Sequence, residues 1–403
     1  MSAATGPHPA LPPDATVGVL GAGTMGSGIA QVAAAAGHRV MVTDARSEAL
    51  EQARARLEAV MAREVEKGRL GADAARELSE RITWAPGAAG EYAVFRHAAL
   101  VIEAVAEDLA VKQEAFRRLE AEVSAECILA TNTSSLPVTA IAGACRNPGR
   151  VIGAHFFNPA PLMPLVEIVP GLTTEPAVTA AARGTVKAWG KTPVLASDTP
   201  GFIVNRIARP FYGEAIRIFE EGIADQPTID WAMRDLGGFR MGPFELMDLI
   251  GNDVNYAVSR SVFEALFSDP RYRPSVTQQR LVEAGFLGRK TGLGFYDYRD
   301  GAAPPTPTKD QAVGRRILDR VLAMLINEAA DALFWRIASL DDIEVAMTRG
   351  VNYPKGLLRW GDEIGLRTVL ERLDALHAEY GEDRYRASPL LRRMVREGRR
   401  FHP

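Results

Sequence analysis

Short apolar runs recur through the first half of the chain, and stretches with helical periodicity lie between several of them. The apolar runs of strand length cover residues 16–20, 39–43, 99–104, 128–131, 151–154 and 165–169. Helical periodicity marks residues 28–36 and 109–125 between the earlier runs. Strands that alternate with helices pair in parallel, so this pattern predicts a doubly wound α/β sheet with extra edge strands.

Two charged, amphipathic stretches follow the second predicted strand, at residues 47–67 and 72–81. Together they are longer than a minimal crossover needs, so we predict a helical hairpin that projects from the sheet. Beyond the turn cluster at residues 198–201 helical periodicity dominates, and a later proline-rich stretch indicates a linker. The predicted organisation is a disordered lead at residues 1–14, a sheet domain at 15–198 with the hairpin at 47–81, a helical domain at 199–300, a linker at 301–309 and a second helical domain at 310–403.

The second helical domain repeats the first. Similar residues recur 114 positions apart, and they are Glu214 and Glu328, Ala232-Met233 and Ala346-Met347, Gly242 and Gly356, and Ile250-Gly251 and Ile364-Gly365. A register that holds over about 75 residues indicates a duplicated domain. A duplicated unit packs against its copy as the halves of a two-fold dimer do, so we expect a monomer with an internal pseudo-dimer, or a homodimer. Two helical modules without a shared interface are the alternative.

A glycine-rich turn directly follows the first apolar run. Its glycines have the Gly-x-Gly-x-x-Gly spacing, with a predicted strand before them and a predicted helix after them. Gly21 permits the tight turn, Gly23 lets the backbone approach a pyrophosphate, and Gly26 lets the helix lie close to the sheet. The predicted cofactor-binding positions of this turn are Gly21, Gly23, Thr24, Met25 and Gly26.

Asp44 closes the second apolar run, about 20 residues beyond the first glycine. An acidic side chain at this place accepts hydrogen bonds from the ribose hydroxyls and repels a 2′-phosphate, so the predicted cofactor is NAD. Arg46 follows two residues later and could hold that phosphate, which leaves NADP or mixed use as an alternative. A phosphate-binding loop for FAD or a nucleoside is a second alternative.

Composition narrows the class of partners. The chain has 403 residues, of which 47% are hydrophobic and 24% charged, and its formal net charge is −3. This charge provides no electropositive field for nucleic acid, and no apolar stretch has the length of a membrane span. Cys127 and Cys145 lack metal-ligand spacing, so we expect no metal site, two buried and inert thiols, and a reduced, cytoplasmic location.

A histidine and a glutamate interrupt two apolar runs. His155 follows the run at residues 151–154, and Glu167 lies inside the run at 165–169. A glutamate is seldom buried unless it is paired, so we expect Glu167 to contact His155. In such a pair the carboxylate keeps one imidazole nitrogen protonated, and the other nitrogen can remove a hydroxyl proton while a hydride departs to nicotinamide. The pair predicts a general base for alcohol oxidation.

Neutral polar side chains cluster at two further places. Asn132 and Ser134 follow a predicted strand, and Asn205 follows the predicted domain boundary. Open α/β sheets bind ligands outside the carboxyl ends of their parallel strands, so these hydroxyl and amide groups could hold a ketone or thioester oxygen. Turn and cap chemistry is the alternative explanation.

Several motifs occur in a fixed order along residues 16–298. After the glycine-rich turn they are Asn132-Thr-Ser-Ser135, His155-Phe-Phe-Asn158-Pro159, Leu165-Val-Glu167, Thr199-Pro-Gly-Phe-Ile-Val-Asn205-Arg206 and Lys290-Thr-Gly-Leu-Gly-Phe-Tyr296. As a set they resemble the L-3-hydroxyacyl-CoA dehydrogenases. The resemblance implies a Rossmann-type doubly wound sheet followed by two all-helical repeat domains, the second as in the longer family members. The implied reaction is the reversible oxidation of a (S)-3-hydroxyacyl-CoA to the 3-ketoacyl-CoA by NAD, as in fatty acid β-oxidation.

The resemblance also implies roles for individual residues. His155 would be the base, and Glu167 would orient it. The implied contacts to the reacting oxygen and thioester are Ser134, Asn158 and Asn205. The positions implied beside the cofactor are Asn132, Glu107 and Lys112, and those implied near the CoA phosphates, on the hairpin, are Arg63 and Lys67.

Two other interpretations stay open. A dehydrogenase of free hydroxy acids, like the gulonate dehydrogenase and lambda-crystallin group, would have a related fold. Phe156 and Phe157, which follow the histidine, favour the acyl-CoA branch. A non-catalytic, NAD-binding structural protein is the second alternative, and the presence of both His155 and Glu167 argues against it.

Overall fold

The computed structural model describes residues 10–86, 92–303 and 305–402. It divides into two compact units, Met1–Thr199 and Pro200–Pro403. Of the predicted lead, residues 1–9 lie outside the described ranges, as does position 304 of the predicted linker. Leu11, within the predicted lead, packs against the first unit, where its amide donates to Thr185 Oγ1 at 3.0 Å. Within the described ranges no helix combines the length and the apolar composition that a membrane crossing needs.

An eight-stranded sheet forms the centre of the first unit. Its strands are β1 (Thr16–Leu20), β2 (Arg39–Thr43), β3 (Ile82–Trp84), β4 (Ala98–Glu103), β5 (Ile128–Thr131), β6 (Val151–Phe156), β7 (Leu165–Pro170) and β8 (Thr192–Leu195). They lie in the order β3-β2-β1-β4-β5-β6-β7-β8, and all neighbours are parallel except β6 and β7, which are antiparallel. This order confirms the predicted doubly wound α/β sheet.

The two outermost strands, β3 and β8, are the ones that the sequence analysis missed. β3 has only three residues, and β8 has four, one of which is Pro193. Runs this short show no clear period, and a proline cannot donate to a ladder, which confines it to strands at an edge. Both strands occupy edges of the sheet.

Helices cover the sheet, and the inner strands are therefore mostly apolar. The helices of this unit are α1 (Thr24–Ala35), α2 (Ser47–Glu66), α3 (Ala72–Glu80), α4 (Leu109–Glu122), α5 (Val138–Ala142) and α6 (Pro176–Ala188). α2 and α3, in the region of the predicted hairpin, contact each other and α1. Their buried Leu57, Met61 and Leu78 belong to the same core as the sheet residues Val17 and Val40, so the pair packs on the unit instead of projecting freely.

The second unit consists of helices packed around one long, buried helix. They are α7 (Val204–Ile207), α8 (Arg209–Glu220), α9 (Gln226–Trp231), α10 (Pro243–Ile250), α11 (Asn252–Ala265), α12 (Val276–Glu283), α13 (Gln311–Phe334), α14 (Leu340–Gly350), α15 (Leu357–Ile364), α16 (Leu366–Tyr380) and α17 (Pro389–Glu397). α13 has 24 residues, most of them buried, and contacts helices from both halves of the unit, including α8 and α15. It therefore provides a common core for both halves.

The repeated glycines have the same structural task in each half. An acidic side chain accepts backbone amides at the start of α10 and of α15: Asp230 accepts Phe244 N at 2.9 Å, and Glu344 accepts Leu358 N at 2.8 Å. A Cβ on Gly242 would lie 2.3 Å from Asp230 Cβ, and one on Gly356 would lie 1.9 Å from Glu344 Oε2. Neither glycine can be replaced without moving the acid that stabilises the helix terminus.

A second pair of acids anchors the end of each half. Asp248 accepts Phe295 N at 3.0 Å, and Asp362 accepts Phe401 N at 2.9 Å. The second half has no counterpart of the motif that begins at Lys290, so its anchor is made by the last residues of the chain. The two anchors therefore use the same kind of contact, a carboxylate that accepts backbone amides, although the anchored sequences differ.

Reciprocal buried ion pairs join the two halves. Arg206 Nε of the first half lies 2.9 Å from Glu328 Oε1, and Arg320 Nε of the second half lies 2.9 Å from Glu214 Oε2. The two arginines are 114 positions apart, and so are the two glutamates. Both glutamates are fully buried. Contacts that are made twice with exchanged partners are typical of a two-fold interface.

Candidate active site

His155 and Glu167 face each other across the antiparallel pair of strands β6 and β7. His155 Nδ1 and Glu167 Oε2 are 2.6 Å apart, and the two side chains are 8% and 0% exposed. An ionised carboxylate only accepts hydrogen bonds, so Nδ1 carries the proton and Nε2 is the nitrogen that can take up a second one. The ring of Phe157 lies 4.5 Å from the imidazole ring and packs beside it. This geometry suits a buried base whose tautomer is fixed.

The loop after β5 is held by a single carboxylate. Glu107 Oε1 accepts Thr133 Oγ1 at 2.6 Å, Ser134 N at 2.9 Å and Ser135 N at 3.1 Å. Burial raises the pKa of Glu107, but the charge of Lys112 and these hydrogen bonds outweigh it and leave that pKa below its ordinary value. Glu107 is therefore an ionised group that fixes the backbone around Ser134.

Lys112 belongs to a buried ion-pair network with Glu103 and Glu107. Its side chain is 1% exposed, and its Nζ lies 2.6 Å from Glu103 Oε1 and 3.3 Å from Glu107 Oε2. Thr131 Oγ1 also donates to Glu103, at 2.7 Å. Lys112 therefore positions Glu107. That either residue borders the cofactor stays a prediction.

Asn132 and Asn158 lie at the same end of the sheet, after β5 and β6. Asn132 Oδ1 accepts Phe156 N at 2.9 Å and so ties the loop after β5 to the strand that carries His155. Asn158 is exposed in the turn after β6. Asn205 belongs to α7 in the second unit, where its carbonyl oxygen accepts Arg209 Nε at 2.8 Å.

Lys191, which no sequence motif indicated, organises the segment that follows Asn158. Its ammonium group donates to three backbone carbonyl oxygens, those of Ala160 at 2.6 Å, Pro161 at 3.2 Å and Met163 at 2.9 Å. Burial lowers the pKa of Lys191. An ammonium group has three protons to donate, and here all three are directed at this one loop.

We expect Lys191→Met to lower kcat by about tenfold or more, because displacement of reacting groups by about 1 Å can cost 100-fold. The KM for NAD should stay near that of the wild type, since the glycine-rich turn makes none of these contacts. Steady-state kinetics measures both values, and the matched control is Lys187→Met, which changes an exposed lysine of α6. Equal kcat values for the two variants would contradict the positioning role of Lys191.

The glycine-rich turn connects β1 to α1, as its spacing predicts. Gly21 has φ +104°, and a Cβ there would lie 2.6 Å from Ala104 O. A Cβ on Gly26 would lie 1.9 Å from Gly21 O, so the first turn of α1 packs directly on the loop. Gly23 precedes Thr24, the first residue of α1, and no atom would lie within 4 Å of a Cβ on it. This open backbone at a helix N-terminus fits a pyrophosphate group.

Asp44 lies next to that turn. Its Oδ2 accepts Ala22 N at 2.8 Å, which holds the carboxylate beside the loop. Arg46 is 76% exposed, and its Nε lies 3.7 Å from Asp44 Oδ1. Arg56 of α2 donates to Ala22 O at 3.1 Å, a contact that no sequence pattern indicated. The residues present therefore fit an adenosine ribose at Asp44.

The remaining candidate residues lie on the surface or away from the sheet's polar end. Arg63 and Lys67, at the end of α2, are exposed and form no ion pair with any residue that the structure describes.

Burial raises the pKa of Cys127 and of Cys145 to about 12, which makes both thiols unreactive. Cys145 is only half-buried, contrary to the prediction. His38 is buried, and its Nδ1 lies 3.0 Å from Ala15 O.

Comparison with protein families identifies both units. The family described as 3-hydroxyacyl-CoA dehydrogenase, NAD binding domain, matches residues 16–199. The family described as 3-hydroxyacyl-CoA dehydrogenase, C-terminal domain, matches twice, at residues 201–298 and 317–400. The second unit therefore contains two copies of the same domain.

Two relatives cover nearly the whole chain, and a third covers 70% of it. The 3-hydroxyadipyl-CoA dehydrogenase of Escherichia coli is 39% identical, over 94% of this chain and 96% of its own length. A crystal structure of 3-hydroxybutyryl-CoA dehydrogenase from Escherichia coli superposes with a TM-score of 0.88 at 38% identity and covers 96% of this chain and 99% of that one. The human mitochondrial hydroxyacyl-coenzyme A dehydrogenase is 40% identical over 70% of this chain and 91% of its own. The chain belongs to the 3-hydroxyacyl-CoA dehydrogenase family and is an NAD-dependent dehydrogenase.

Proposed function

We propose that His155 is the general base for oxidation of the 3-hydroxyl group and that Glu167 orients and stabilises it. The observation that carries this proposal is the 2.6 Å contact between two side chains buried in otherwise apolar strands. His155 Nε2 takes the hydroxyl proton, and the Glu167 carboxylate stabilises the resulting imidazolium. NAD, when bound, would accept the hydride that leaves the carbon bearing that hydroxyl group.

Three neutral groups complete the proposed site. Ser134 and Asn158 follow β5 and β6 at the end of the sheet that carries His155. The role of Asn205, a residue of α7, rests on the resemblance to the family alone. Hydroxyl and amide groups can donate hydrogen bonds to the oxygen on which charge develops and to the thioester carbonyl. We assign the CoA phosphates to Arg63 and Lys67, because both are exposed cations without an ion-pair partner among the described residues.

The proposed cofactor is NAD and not NADP. Its support is the carboxylate of Asp44, which would repel a 2′-phosphate and accept the ribose hydroxyls. Arg46 already lies beside that carboxylate, so the positive charge of Arg46 is partly neutralised.

We expect Asp44→Asn to raise the KM for NAD by about tenfold or more, because hydrogen bonds to a charged group contribute about 1.5–3 kcal/mol. The asparagine can still accept Ala22 N, so the turn keeps its shape. The same substitution should lower the KM for NADP, since it removes the repulsion. Arg46→Gln is the control and should leave the KM for NAD near its wild-type value; a wild-type KM in Asp44→Asn would contradict the assignment.

The proposed substrates are short-chain (S)-3-hydroxyacyl-CoA thioesters. Two relatives that align with this chain over most of their own lengths are named for hydroxyadipyl-CoA and hydroxybutyryl-CoA, which supports this class of substrate. The test compares kcat/KM for four-carbon, ten-carbon and six-carbon dicarboxyl thioesters with NAD. We expect the four-carbon and the dicarboxyl substrates to be preferred; a preference for the ten-carbon chain would overturn the proposal.

The proposed assembly is a single chain with an internal pseudo-dimer. Its support is the reciprocal pair of contacts between Arg206 and Glu328 and between Arg320 and Glu214. These contacts already satisfy the buried charges of each half within one chain. The second helical domain thus takes the place that a partner subunit would otherwise fill.

A further inference from the structure

A cavity of about 330 Å³ lies within the helical unit, between α8, α11 and the segment at residues 271–276. Five arginines contribute to its walls, and they are Arg209, Arg217, Arg271, Arg273 and Arg384. Among the described lining residues the single carboxylate is Glu220, which accepts Ser275 Oγ at 2.7 Å. The walls are therefore rich in guanidinium groups.

Three of these arginines are neutralised by carboxylates that do not line the cavity. The pairs are Arg217 with Glu382, Arg271 with Glu328, and Arg384 with Glu214, at 2.9, 3.1 and 2.5 Å. These ion pairs belong to the interface between the two halves of the unit. Their charges need no ligand, and they leave two arginines to consider.

Arg209 differs from the three paired arginines because it has no carboxylate partner among the described residues. It is 8% exposed, and no carboxylate oxygen of any described residue lies within ion-pair distance of it. Its Nε donates to Asn205 O at 2.8 Å and its Nη1 to Ser259 Oγ at 3.1 Å, while its guanidinium carbon lies 5.0 Å from the centre of the Tyr212 ring. Burial lowers the pKa of this guanidinium, because no neighbouring anion compensates for the lost water.

Two further features of the wall are unsatisfied. Arg271 Nε is buried and has no hydrogen-bond partner among the described residues. Arg273 is exposed at the wall and forms no ion pair within the described ranges. A buried guanidinium without a counter-ion is costly unless an anion joins it, and the fork of an arginine matches the geometry of an oxyanion.

We propose that this cavity binds a small ligand bearing an oxyanion, a carboxylate or a phosphate, with Arg209 as the buried anchor. Ser259 holds the guanidinium in place, and Arg273 supplies a second charge where the ligand enters. The volume lies at the lower end of the range for ligand pockets, so it suits a small organic or inorganic anion. The proposal depends on the helical unit alone and not on the assignment of the catalytic residues.

The test is a calorimetric titration of the full-length protein with adipate and with inorganic phosphate at constant ionic strength. For the wild type we expect saturable binding of at least one probe, and the tighter probe identifies the ligand as carboxylate or phosphate. Arg209→Met, which keeps the bulk and removes the charge, should weaken that binding at least tenfold. Arg316→Met changes an exposed arginine of α13 and serves as the matched control.

Arg273→Gln provides a second variant whose side chain is exposed and therefore not needed for folding. It should weaken the same binding, by a smaller factor than Arg209→Met, because its charge is solvated. Absence of saturable binding to the wild type, or equal binding by the wild type and both cavity variants, would overturn the proposal.

Discussion

His155→Ala should lower kcat for oxidation of a 3-hydroxyacyl-CoA by about 100-fold or more, because general-base catalysis typically contributes a factor of that size. The affinity for NADH should change little, since the glycine-rich turn and Asp44 follow β1 and β2, and β1 pairs with β2 and β4, not with β6. Steady-state kinetics gives kcat, and titration of NADH fluorescence gives the dissociation constant.

Two other variants make this result specific. Glu167→Gln keeps the shape of the partner but removes its charge, so it should lower kcat through loss of imidazolium stabilisation. His97→Ala changes an exposed histidine of the same unit and should leave kcat unchanged. A kcat near that of the wild type in His155→Ala would exclude His155 as the base.

Glu328→Gln should lower the free energy of unfolding by about 3–5 kcal/mol, because removal of one partner leaves buried charges uncompensated. Glu328 is fully buried and lies 2.9 Å from Arg206 and 3.1 Å from Arg271. Glu214→Gln should have a similar effect, since Glu214 occupies the equivalent place in the other half. Urea denaturation measures the free energy, and light scattering should give the mass of one chain for the wild type.

The control for this prediction is Glu363→Gln. Glu363 forms a surface pair with Lys355 and is 46% exposed, so its loss should change stability by less than about 1 kcal/mol. If Glu328→Gln were as stable as this control, the buried pairs would contribute nothing to the union of the two halves.

The parts of the fold that could be predicted are those whose signals are local. β1, β2 and β5 have the predicted bounds because each is an apolar run ended by a glycine or a polar residue. β3 and β8 were missed because short edge strands bury little and so carry little apolar pattern. The duplication was visible because Gly242 and Gly356 begin equivalent helices, and Glu214 and Glu328 form equivalent buried ion pairs.

The candidate site divides in the same way. His155 and Glu167 could be found because each interrupts an apolar strand, although their register could not be read from the sequence. Lys191 could not be found, because its partners are backbone carbonyl oxygens, which any residue can provide. Arg209 could not be found either, because it differs from the other arginines in lacking a carboxylate partner among the described residues, and that difference exists only in the folded protein.

The central claim is that this chain removes a hydride from the hydroxyl-bearing carbon of a CoA thioester and a proton from the hydroxyl group on that carbon. It is tested most directly by NADH formation when the wild-type protein is mixed with NAD and either (S)-3-hydroxybutyryl-CoA or free 3-hydroxybutyrate. The account predicts NADH from the thioester and none from the free acid. NADH from the free acid with none from the thioester would contradict it.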